Sequence, residues 1–103
     1  MERNEAIRRI KAALKKRSGK SWSVTGGKGT AWGWITIHSL PSKRDSFGCM
    51  TSEDREELGK LLGLENQVHF QGVSIPAATD YREEYIARAE GRQPLVLGKP
   101  YWD

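Results

Sequence analysis

From Asn4 to Arg17, apolar residues recur every three or four positions. Ile7, Ile10 and Leu14 share one face, widened by Ala6 and Ala13, and this spacing predicts an amphipathic helix. Asn4 stands where a cap is wanted, and Glu5 sits in the first turn, where a negative charge suits the dipole. Lys15, Lys16 and Arg17 fall in the last turn, and Gly19 supplies the stop. The period then switches to two. Ser21 to Thr25 alternates around Trp22 and Val24, the run Gly26-Gly27-Lys28-Gly29-Thr30 reads as a turn, and Ala31 to His38 reads as the returning strand. On that strand Gly33, Ile35 and Ile37 point one way, while Trp32, Trp34, Thr36 and His38 point the other. If Trp22 and Val24 join Ile35 and Ile37 in the core, Trp32 and Trp34 stand on the opposite face.

Beyond the hairpin, Leu40 to Ser46 is a polar connection, and Phe47 to Met50 is expected as a short third strand. Thr51 or Ser52 caps the next helix, with Glu53 and Asp54 in its first turn and Leu58, Leu61 and Leu62 on its buried face. Gly63-Leu64 has the form of a Schellman ending. Val68 to Ile75 alternates loosely, as a strand or an extended arm, until Pro76 breaks it. Thr79 or Asp80 caps a last helix that turns Tyr81, Tyr85, Ile86 and Ala89 inward and ends at Gly91. The tail from Pro94 carries Leu95, Leu97, Tyr101 and Trp102, and its apolar content is expected to pack back on the domain. The expectation is an α+β fold. A small antiparallel sheet, in the order helix-strand-strand-(strand)-helix, has its helices on one face and the other face open. A C-terminal helix and a packed tail follow.

At 103 residues, one domain over 1–103 is the natural reading, divided into an α+β core at 1–64 and an extension at 65–103 that holds one helix. Cys49 is the single cysteine, so no internal disulfide forms, which suits a reducing compartment. No apolar run reaches signal-peptide or membrane-span length. These features lead to the expectation of a cytoplasmic protein with no membrane association.

Charge sharpens the picture. Residues 1–44 hold eleven Lys or Arg against Glu2 and Glu5, a net +9; residues 45–103 hold six against eleven acids, a net −5. Such a split points to a positive surface that meets phosphate or an acidic partner, unless folding mixes the two halves in space. On the first helix, Arg8, Lys11 and Lys15 fall on the outer face, flanked by Arg9 and Lys16.

Candidate chemistry concentrates in the same region. Two indoles at i and i+2 on one strand face, Trp32 and Trp34, make a platform on which bases can stack; equally, such large aromatics can be core. Lys20 and Lys28 flank them. The glycine turn could cradle an anion or simply close the hairpin. Gly19-Lys20-Ser21 imitates the end of a phosphate-binding loop, but Leu14 stands where its first glycine is required and a helix precedes it, which excludes that reading. His38, at a strand end on the tryptophan face, is the candidate for contacting phosphate or acting as a general base. Two histidines and one cysteine spread this way form no zinc site, and no metal or cofactor is expected.

The run from Arg17 through Gly26-Gly27-Lys28 to Trp32-Gly33-Trp34-Ile35 resembles a signature of a family of small bacterial proteins. It is also loosely similar to a domain appended to large polyvalent proteins of phages and conjugative elements. The likeness covers about the first 40 residues, carries no activity, and implies a mobile-element protein. The element order also resembles the double-stranded RNA-binding fold and the HicA-type toxin fold, although the toxin's Gly-Ser-His motif is absent at His38. The leading expectation is a non-catalytic nucleic-acid-binding domain for DNA or RNA. In it Arg8, Lys11, Lys15, Lys16, Arg17, Lys20 and Lys28 neutralise phosphates, Trp32 and Trp34 stack, and His38 assists. The alternatives are a module that binds a protein partner, such as a mobile-element inhibitor, and a small HicA-like ribonuclease using His38.

Overall fold

The computed structural model describes residues 2–31 and 33–92. Helix α1 spans Arg3–Ser18 and stops at Gly19, whose φ of +76° and N–H bond to the Lys15 carbonyl end it as expected. The start differs. Glu2 is the N-cap, with no side-chain cap bond, and Asn4 lies inside the first turn. Strand β1 (Ser23–Gly26) and strand β2 (Trp34–His38) form an antiparallel pair with Val24 opposite Ile37. The second strand begins at Trp34 because Gly29–Ala31 winds into a 3-10 turn first.

The third strand is not at 47–50. There Asp45 Oδ1 accepts from the N–H groups of Phe47 and Cys49, at 2.9 Å each, and an isolated bridge from Arg44 to Met50 closes a compact loop. A side chain that captures two backbone donors removes them from any ladder. Helix α2 (Ser52–Leu62) follows, capped by Thr51 Oγ1 on the Asp54 N–H and ended at Gly63. The Leu64 N–H donates to the Gly59 carbonyl and the Gly63 N–H to that of Lys60, the Schellman pattern the sequence signalled. The strand that completes the sheet is β3 (Val73–Pro76), antiparallel to β2 with Ile35 opposite Ile75. Its approach depends on Gly72: at φ +88°, a Cβ there would stand 2.3 Å from the Ile37 carbonyl oxygen, a distance no side chain tolerates. Helix α3 (Thr79–Ala89) is the last described element, entered through Ala78 without a side-chain cap.

The fold is α+β, with a three-stranded antiparallel sheet in the order β1-β2-β3 and a C-terminal helix. Val24, Ile35, Ile37, Val73 and Ile75 line one sheet face and are buried with Ala6, Ile10, Leu14, Leu58, Leu62, Tyr85 and Ile86 from the helices. Each such aliphatic contributes roughly 1.5–3 kcal/mol by leaving water; truncating Leu14 to Ala would cost about 2–5 kcal/mol. Trp22 belongs to this core, 1 % exposed, with its indole N–H on Ser18 Oγ at 3.0 Å. Residues 73–89 supply both a sheet edge and a core helix. The expected division at residue 64 therefore separates no independent body among the described residues. The tail from Pro94 and its Leu95, Leu97, Tyr101 and Trp102 lie outside the described residues. No helix among the described residues is long and apolar enough to cross a membrane.

Candidate nucleic-acid interface

Helix α1 packs on β1 and α3, and this placement sorts its cations. At about 100° per residue, Ala6, Ile10 and Leu14 centre the buried side, and Arg8, Lys11 and Lys15 fall within roughly 60° of one another on the flank turned from α3. All three are exposed, as are Lys16, on the Arg9 side of the helix, and Lys28 in the hairpin loop. Among the described residues none of these five makes an ion pair. The Lys28 loop sits beside the first turn of α1, because the Arg3 Nη1 donates to the Gly27 carbonyl at 2.8 Å. The cations therefore run along the helix and on into the loop. From Lys15 back to Arg3 the helix alone spans about 18 Å at 1.5 Å per residue.

The remaining basic residues of this region are committed inside the molecule. Arg17 Nη1 donates to the carbonyls of Leu61, Arg88 and Ala89 at 2.6, 3.0 and 2.9 Å. These are acceptors of the last turns of α2 and α3, the groups a helix end leaves without partners. Arg9 pairs with Glu90 at 3.3 Å. Lys20 stands between Asp54, at 3.3 Å, and Glu57, and lies over the Trp22 ring. The hydrogen bond to Glu57 raises the Lys20 pKa; desolvation opposes it and Asp54 reinforces it. Glu90 is held below the ordinary carboxylate value by its bond to Arg92, against some desolvation and with help from Arg9. The two oppositely charged halves of the sequence thus mix at α1's inner flank and at Lys20, while the outer flank keeps its charge.

Trp32 lies outside the described residues. Trp34 is 40 % exposed on the open sheet face, in the row with Pro76, next to a row formed by Thr25, Thr36 and Ser74. Because α1 covers the other face, the sheet stands between Trp34 and the helix cations, and the structure does not bring them together. His38 is on the tryptophan side but only 8 % exposed, with Nδ1 2.9 Å from the Ser39 carbonyl; one ring nitrogen is engaged by its own chain. The glycine turn behaves as a turn: the Gly27 N–H donates to the Trp34 carbonyl, extending the ladder. Among the described residues no group of three or more His, Cys, Asp and Glu stands together to hold a metal.

Sequence reasoning passed over Phe47. It is 89 % exposed at the tip of the loop that Asp45 braces, and the signal available was an aspartate two residues before an aromatic and three before a glycine. The internal roles of Arg17 and Lys20 had no local signal, since their partners lie 34 to 72 residues away. No family model, no curated protein and no solved structure matches the chain.

Proposed function

We propose that the chain binds nucleic acid through its phosphate backbone, along the outer flank of α1. The observation that supports this is the separation of cations: Arg8, Lys11 and Lys15 share one exposed arc without partners among the described residues, whereas Arg9, Arg17 and Lys20 are neutralised or bonded within the fold. Lys28 extends the arc past the first turn of the helix. A ridge of fixed positive charge attracts a polyanion and releases its counterions, giving affinity that falls with salt. Backbone contact of this kind needs neither a catalytic group nor a cofactor.

Titration of labelled DNA and RNA, single- and double-stranded, at about 50 mM salt tests the proposal. The expected result is binding to at least one of these that weakens steeply as salt rises. No binding to any of them would overturn it. The exposed Phe47 favours a second reading, a module that anchors a protein partner. A stoichiometric partner that survives nuclease treatment and is lost in Phe47→Ser would favour that reading over the first.

A further inference from the structure

The far edge of the sheet holds a feature the nucleic-acid reading leaves unused. A groove of about 500 Å³ runs beside β3, and its lining includes Arg55, His69 and Ser74 together with Leu64, Val68 and Phe70. Among the described residues no carboxylate lines it. The Arg55 Nε–H donates to the Val68 carbonyl at 3.2 Å, which fixes the guanidinium plane. Its terminal amino groups make no hydrogen bond or ion pair among the described residues. A guanidinium anchored at one nitrogen and open at the others is prepared for a planar anion, and two parallel bonds to a carboxylate are its best match.

The neighbouring backbone adds a second requirement. Among the described residues β3 pairs only with β2. The Ala77 N–H donates to the Gly33 carbonyl, so odd-numbered residues of β3 turn their backbone groups toward β2. Ser74, between them, turns its N–H and carbonyl outward along the groove. An extended chain can pair with that edge and lay alternate side chains against Leu64, Val68 and Phe70. Pro76 ends the edge, so only a short segment fits.

We propose that this groove binds the C-terminal end of a partner polypeptide, as a short strand on β3 with its terminal carboxylate on Arg55 and an aliphatic side chain in the apolar lining. The charge of the site selects the anion, the open edge selects an extended backbone, and the volume suits a few residues. The site is separate from α1, which lies over β1 at the other edge, and does not depend on the nucleic-acid reading.

The test is selection of the whole chain against a library of short peptides with randomised, free C-termini, followed by affinity measurement of those retained. Retained peptides should end in an aliphatic residue. Amidating their C-terminus or replacing Arg55→Gln should weaken them by at least about tenfold. Amide resonances of residues 72–75 should shift on binding. Because Arg55 also bonds the Val68 carbonyl, a ligand methylated on its backbone nitrogens provides a readout in the unaltered protein, and it too should bind at least about tenfold more weakly. Failure to retain any peptide, equal binding of the amidated forms, or resonance shifts confined to other surfaces would overturn the proposal. So would octanoate binding as tightly as the best peptide, which would make the site a carboxylate pocket without strand pairing.

Discussion

On one flank of α1, Arg9 and Arg17 reach a carboxylate and helix-end carbonyls of α2 and α3; on the other, Arg8, Lys11 and Lys15 meet no partner among the described residues. Arg8 and Arg9 are adjacent in sequence and alike in chemistry, yet about 100° of rotation separates a structural contact from an available charge. A cation count along the chain therefore overstates the binding surface. What decides availability is which neighbours the fold places beside each charge: two of the seven predicted phosphate ligands, Arg17 and Lys20, and the flanking Arg9 are already satisfied from within.

The largest effect should come from reversing the available flank. Arg8, Lys11 and Lys15 changed together to Glu should lower nucleic-acid affinity at least about a hundredfold at roughly 0.1 M salt, with an unchanged melting temperature. If binding persists, the outer flank is not the interface. Next comes Arg17→Ala. It removes three charge-assisted bonds to carbonyls and should destabilise the fold by about 2 kcal/mol, lowering Tm by roughly 10 °C, while folded protein keeps its affinity. A Tm change no larger than that of Lys15→Ala would erase the distinction between the flanks.

A third test uses pH. The folded pKa of Lys20 lies above its ordinary value of 10.5 because Glu57, and after it Asp54, hold the ammonium. The folded state therefore keeps that proton longer than the unfolded chain. Its stabilisation is complete below about pH 10.5 and is lost as pH rises through the folded value. Tm should fall in that alkaline range, and Glu57→Gln should reduce the fall. The smallest expected effect is that of Trp34→Ala: with the sheet between it and α1, affinity should change by less than about twofold. A larger loss would place the open sheet face in the interface.

The first helix, the hairpin, the capped second helix and the third helix were legible because each combines a clean period with a stop signal: Gly19, Gly63 or Gly91. The sheet's open face was legible too, since Ile35 and Ile37 alternate with Trp34 and Thr36. The third strand was not. Phe47 to Met50 has strand-like composition, but Asp45 diverts its amides, and the pairing of β3 with β2 joins residues more than thirty positions apart through a turn that only Gly72 permits. Within the site, position on a helix face was readable from spacing. Commitment was not, because Arg17 and Lys20 find their partners across the fold. The supposed union of Trp34 with the helix cations failed for a geometric reason: strand alternation that exposes Trp34 sends it to the side of the sheet that α1 does not cover.

The account rests most directly on the salt dependence of binding after removing one charge at a time. Replacing Arg8, Lys11 or Lys15 singly with Gln should each reduce the slope of log affinity against log salt by about 0.9. Arg9→Gln, Arg17→Gln and Lys20→Gln, with the same change in net charge, should leave it unaltered. Equal reductions from both sets would mean that only total charge matters, and would contradict the assignment of the interface to one flank.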